Sequence, residues 1–212
     1  MNTRALALVV AVLTSPAAVL AQAQDTPFQI RHAVNLNIGD SIVNITNSGA
    51  SSTTSFPFQN GNICANVYVF RPNEQMVSCC SCFVSPNGLV SLSAKQNLIG
   101  NPLFGAPPNA VVIKLLATKA GSTADSCTPT TAATAGTGNN VTVPGMVAYG
   151  TTLRTVLLAT PINPATYTVT ETKFTPATLS SAELGSLTTL CGFTVGDGSG
   201  SGQCTCGPAA QQ

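Results

Sequence analysis

Eight cysteines, at positions 64, 79, 80, 82, 127, 191, 204 and 206, constrain this chain more than any other feature. An even number of cysteines in an exported chain reads as a set of disulfides, which tie together the segments that carry them. The N-terminus supplies the export. Arg4 is followed by an apolar run from Ala5 to Leu13 and then by small residues, with Val19-Leu20-Ala21 and Ala21-Gln22-Ala23 as cleavage sites. That is the pattern of a secretory signal peptide over residues 1–23. Thr14, Ser15 and Pro16 interrupt the run, which falls short of the roughly 20 apolar residues of a membrane span. No later stretch is long enough either, and the first cysteine, Cys64, lies too far on for an N-terminal lipid anchor. The expected location is therefore secreted or at the cell surface, with the periplasm as the other exported compartment.

Cys79-Cys80-Ser81-Cys82 and Cys204-Thr205-Cys206 lack the two-residue spacer of a zinc knuckle, and the only histidine, His32, is far away in sequence. No metal or cofactor is expected. Neighbours in a strand point to opposite faces, so Cys79 and Cys80 should bond to different partners, whereas Cys80 and Cys82 share a face. Cys204 and Cys206 would also share one if the tail is extended. Two arrangements stand open: the tail docks beside residues 79–82 through one or two bridges, or a hairpin around Arg71-Pro72-Asn73-Glu74 brings Cys64 opposite Cys82.

Between the cysteines the chain reads as short strands. Phe28, Ile30, Val34, Leu36 and Ile38 fall on alternate positions, with His32 on the same side, predicting a half-buried strand of about eleven residues. Ile42–Thr46 follows as a second strand. Ala65–Arg71 and Met76–Val84 form a hairpin, and Ser85-Pro86-Asn87-Gly88 is a turn leading into Leu89–Ala94. Ala110–Thr118 is a continuous apolar run suited to a central strand, and residues 119–145 form a long Gly-, Thr- and Ala-rich loop. Met146–Thr160 and Ala165–Thr175 are further strands. One helix is expected: Ser180 with Glu183 makes a capping box, Leu184, Leu187 and Leu190 follow at helical spacing, and Gly192 ends it. Gly196–Gly202 reads as a flexible linker.

The fold class that follows is all-β, a disulfide-stabilised β-sandwich of immunoglobulin-like or jelly-roll type with one short C-terminal helix. It divides into a signal peptide (1–23), an N-terminal strand (24–40), the sandwich domain (41–195) and a Gly-rich, cysteine-bearing tail (196–212). Gly61-Asn62-Ile63-Cys64-Ala65-Asn66-Val67-Tyr68-Val69-Phe70, Ser78-Cys79-Cys80-Ser81-Cys82 and Pro86-Asn87-Gly88-Leu89 resemble a group of exported, cysteine-rich bacterial proteins. The likeness extends to Asn37–Ser41 and Leu190–Phe193. It implies export and carries no activity.

Charged residues make up only 7% of the chain, and once Arg4 leaves with the signal seven basic and seven acidic residues remain. A neutral surface excludes the basic face that nucleic acid or anionic lipid requires, and it favours association. No carboxylates are paired and His32 has no nucleophile beside it in sequence, so no catalytic residues and no enzyme are expected. Without Trp, and with Tyr68, Tyr149 and Tyr167 read as core or cross-strand packing, carbohydrate binding lacks support. Asn44 and Asn140 fit the glycosylation acceptor pattern.

The function expected is that of a structural subunit of an extracellular assembly, a pilus-like filament or surface layer, with copies of itself as partners. The N-terminal strand either pairs within its own domain or is donated to a neighbour through Phe28, Ile30, Val34, Leu36 and Ile38. The alternative is a secreted monomeric binding or adhesion module, with ligand contacts on loops 47–60 and 119–145.

Overall fold

A computed structural model describes residues 26–53, 60–156 and 166–207; the signal peptide expected over residues 1–23 lies outside them. The chain is mostly antiparallel β-sheet. The strands are β1 (Phe28–Ala33), β2 (Ile42–Asn47), β3 (Ile63–Phe70), β4 (Met76–Val84), β5 (Leu89–Ser93), β6 (Val111–Lys119), β7 (Met146–Val156), β8 (Thr166–Lys173) and β9 (Thr175–Pro176). Two helices, α1 (Pro129–Ala133) and α2 (Ser181–Gly196), complete the frame. One sheet runs β4-β3-β6-β1-β9, the other β5-β2-β7-β8.

The first sheet is covered on both sides. One face of β3 and β6, with Ile63, Ala65, Val67, Val69, Ile113 and Leu115, enters a single core cluster with Val43, Ile45, Leu92 and Ala148 of the second sheet. The other face, with Phe28, Tyr68, Phe70, Cys79 and Leu116, packs under Leu187 and Cys191 of α2 and Ala132 of α1. This is why every residue of β3 is buried, and why β6 reads as a continuous apolar run. Lys114, the one charge in that run that is half-buried, reaches α2 and pairs with Glu183 at 2.5 Å, lying 4.8 Å above the Phe70 ring.

The α2 helix begins where its cap predicts: the Ser180 hydroxyl accepts from the Glu183 N–H at 3.1 Å. Glu183 gives its carboxylate to Lys114, so only half of a capping box forms. The helix also runs past Gly192 to Gly196, because Leu187, Cys191 and Thr194 form one buried stripe across that point. The loop 119–145 contains a second helix, α1, which follows Cys127 directly and is capped by Thr128 and Thr131 with Pro129 in its first turn.

The N-terminal strand differs most from its expected form. It ends at Ala33 after six residues. Asn35 takes a left-handed conformation (φ 62°), which breaks the strand as the chain crosses between sheets. The Asn35 amide donates to Leu153 O at 2.7 Å, satisfying a carbonyl beyond the start of β2. The predicted single apolar face is accordingly divided. Phe28 and Ile30 pack toward α2, while Leu36 enters the core between the sheets. Gln29, Arg31 and Ala33, on the polar side of the sequence pattern, are the β1 residues turned toward the second sheet and are buried.

Gln29 clamps the sheets together. Its Nε2 donates to Met146 O at 2.7 Å and its Oε1 accepts from Ala148 N at 3.3 Å. Gln29→Leu fits the space but leaves both backbone groups buried without partners. It is expected to lower the unfolding free energy by about 2–3 kcal/mol in a urea titration.

Candidate functional site

The four bridges are Cys64–Cys127, Cys79–Cys191, Cys80–Cys204 and Cys82–Cys206. Cys79 points to the helices and Cys80 and Cys82 to the core between the sheets, so β4 is bolted on one side to α2 and on the other to the tail. The tail also adds backbone hydrogen bonds, Cys79 N to Gly202 O at 2.8 Å and Cys204 N to Cys79 O at 3.2 Å, which occupy the outer edge of β4. The Gly-rich segment before it is held too: Gly202 N donates to Asn101 O. An added Cβ at Gly202 (φ 73°) would meet Leu103 and Thr194 at 2.8 Å. The sulfurs of Cys80, Cys82 and Cys206 lie within 4.8 Å of one another, but each is bonded in a bridge.

The start of loop 47–60 meets the end of loop 119–145, where Ser48 N donates to Gly145 O, and just beyond the first loop Asn62 Nδ2 donates to Gly121 O. Residues 54–59 lie outside the described residues. Asn44 Nδ2 donates to Glu171 and Asn140 Nδ2 to Thr134, each at 2.7 Å, so a glycan at either site would displace a hydrogen bond. Tyr68 is fully buried with its hydroxyl donating to Ala132 O at 2.7 Å, and burial pushes its phenol pKa up. Tyr149 and Tyr167 are not core residues. They are 40% and 45% exposed and lie on the outer face of the second sheet with Leu89 and Val169.

The long open edge belongs to β8. Its partner β7 lies on one side, and among the described residues no strand pairs with the other. Every described side chain from Tyr167 to Lys173 is exposed. Phe174 N donates to Ala148 O, which marks the even-numbered residues as those bonded to β7. By the alternation of an antiparallel ladder, Tyr167, Val169, Glu171 and Lys173 then turn their backbone N–H and C=O groups outward. The strand is rich in Thr, Tyr and Val and has no proline to blunt that edge.

Beneath β8, Arg31 reaches out from β1. Its Nη1 donates to Thr172 O at 2.9 Å and to Thr172 Oγ1 at 2.5 Å, and its Nη2 donates to Thr152 Oγ1 at 2.6 Å. The guanidinium lies on Gly150, where a Cβ would come within 2.5 Å of Nε, and 5.9 Å from the Phe174 ring centre. Burial lowers its pKa, offset in part by Glu171. His32, next along the strand, is exposed. Sequence reading gave no sign of this grouping, because Arg31, Thr152 and Thr172 lie far apart in the chain.

Compared with known proteins, the chain matches no family model, no curated protein and no solved structure.

Proposed function

We propose that this chain is a structural subunit of an extracellular assembly, a secreted β-sandwich whose copies join edge to edge through β8. The observation that carries the reading is the bare, fully exposed edge of β8 in a molecule whose other long edge, β4, is sealed by a disulfide-bolted tail. The four disulfides fit an oxidising compartment outside the cytoplasm, and no helix among the described residues is long and apolar enough to cross a membrane. A near-neutral surface offers little repulsion between copies. Because β1 is paired with β6 and β9 in its own chain, β8 rather than a donated N-terminal strand is the edge open to a neighbour.

Two β8 strands related by a two-fold axis normal to the sheet keep the same faces up, so odd residues lie opposite odd ones. In the register centred on Thr170, Tyr167 of one copy lies opposite Lys173 of the other, Val169 opposite Glu171, and Thr168 opposite Thr172. Aromatic–cation and Thr–Thr pairs favour that register, and it sets no like charges face to face. A two-fold joint closes on itself, so it forms the dimeric repeat of the assembly, and a filament adds a second contact.

Val169→Pro tests the reading, since it removes an N–H that faces outward and spares the ladder with β7. The expected result in light scattering and negative-stain microscopy is a wild-type dimer or larger regular oligomer. The variant is expected to be a folded monomer, its association weakened at least about tenfold. A wild-type protein that stays monomeric at high concentration, or a folded V169P that assembles as wild type does, overturns it.

A further inference from the structure

A cleft of about 600 Å³ opens between β1 and the β7–β8 ribbon. Four basic residues line it, Arg31, His32, Arg154 and Lys173, the last with its side chain on the outer face of the ribbon beside Tyr149, together with the hydroxyl residues Thr152, Thr170, Thr172 and Thr175; its remaining lining residues are the apolar Ile30, Val112 and Ala177. No carboxylate is among them. In a mature chain with seven Lys and Arg in all, two of them, Arg31 and Arg154, and the sole histidine converge on one place.

Arg31 distinguishes this cleft from a solvated basic patch. It is only 9% exposed, its Nε has no hydrogen-bond partner, and among the described residues it forms no ion pair. A buried cation is ordinarily matched by a buried anion, because removing it from water is costly and a neutral hydroxyl returns only part of that loss. Glu171, the acid that contributes to its field, is engaged with Asn44. Arg31 is fixed by Thr152 and Thr172 and seated on Gly150, the one residue type whose lack of a side chain admits it. Arg154 is exposed and forms no ion pair among the described residues. The pattern is that of a fixed buried charge with a mobile cation at its rim, and the missing component is negative.

We infer that this cleft is a binding site for an oxyanion: a carboxylate, sulfate or phosphate group, held by Arg154 and His32 in the positive field of Arg31, with the threonine hydroxyls as further donors. The site does not depend on the assembly reading, since all of its residues come from one copy. The oxyanion could belong to a small ion or to an acidic saccharide outside the cell, and the two sources separate experimentally.

The full oxidised protein is titrated with sodium sulfate, sodium phosphate and a galacturonate oligosaccharide at constant ionic strength, with chloride as the control, following binding by calorimetry and amide chemical shifts. Saturable binding is expected, with shifts confined to β1, β7 and β8. Arg154→Ala with His32→Ala is expected to weaken it at least about tenfold without changing the thermal midpoint of the ligand-free protein. Arg31→Met is expected to abolish it. Saturation by the oligosaccharide alone identifies an acidic saccharide, and equal saturation by sulfate or phosphate identifies a small oxyanion. Absence of saturation by all three probes beyond the chloride control overturns the site, as does unchanged binding in the double variant, which stays informative even if Arg31→Met fails to fold.

Discussion

Replacing Cys80, Cys82, Cys204 and Cys206 together by alanine is expected to lower the unfolding free energy by about 5 kcal/mol, whereas removing either of the two bridges alone costs about 2 kcal/mol. Taken separately, each bridge closes a loop of 124 residues, and a loop of roughly that size is worth about 4.7 kcal/mol in the chain-entropy model. The two are not separate. Cys79–Cys191 already holds α2 to β4, so closing Cys80–Cys204 adds only the short circuit from Cys191 to Cys204, about 15 residues and about 3 kcal/mol. With that circuit closed, Cys82–Cys206 encloses a few residues more and adds about 2 kcal/mol. Loss of either leaves the other to close nearly the same circuit. Urea titrations of C80A/C204A, C82A/C206A and the fourfold variant check this. Single losses near 5 kcal/mol each would show the bridges acting independently and overturn the nested scheme. The expected loss of about 5 kcal/mol is comparable with the whole stability of many domains, so the fourfold variant is expected to be the one closest to unfolding at 37 °C.

The bridges also show what a sequence can and cannot carry. That Cys79 and Cys80 take different partners follows from strand geometry alone, and they do. That Cys64 cannot pair with Cys82 depends on register. The hairpin sets Ala65, not Cys64, opposite Cys82, and a one-residue offset turns Cys64 to the helical face and Cys82 to the face between the sheets. Turns with local signals were legible: Ser85-Pro86-Asn87-Gly88 closes with Gly88 N to Ser85 O and Asn87 in the left-handed region, and Ser180 caps α2. The break at Asn35 was hidden because Leu36 and Ile38 continue an alternation that the backbone does not. The cleft was hidden more deeply. Arg31 occupies a polar position of a half-buried strand and reads as a solvated side chain. Only the pairing of β7 with β8 and the approach of Gly150 show it to be enclosed. Of the two readings for Tyr149 and Tyr167, core or cross-strand packing, the core one does not hold, because their face of the sheet is open.

Deleting residues 22–39 is expected to leave no folded monomer, the largest effect of any change considered. A donated strand would predict the opposite, a folded protein with an empty groove that a neighbour or a synthetic strand fills. In the structure β1 is an inner strand, bonded along its whole length to β6 from Phe28↔Leu116 to Ala33↔Val111 and on its other side to β9. Its loss exposes Leu116 on the helical face and Ile113 and Leu115 in the core, all fully buried, and removes Phe28 and Leu36 from the two clusters. At about 1.5–3 kcal/mol for each large apolar side chain returned to water, these five alone exceed about 7 kcal/mol. The deletion also takes away the Gln29 clamp between the sheets and orphans Met146 O and Ala148 N. Circular dichroism and limited proteolysis of the purified, oxidised deletion variant read the outcome directly, and a peptide spanning residues 24–39 added in trans makes the comparison decisive. A variant without native structure, not rescued by the peptide at micromolar concentration, fits β1 as part of its own subunit. A folded variant that binds the peptide and thereby recovers assembly would move the joint between copies from β8 to β1.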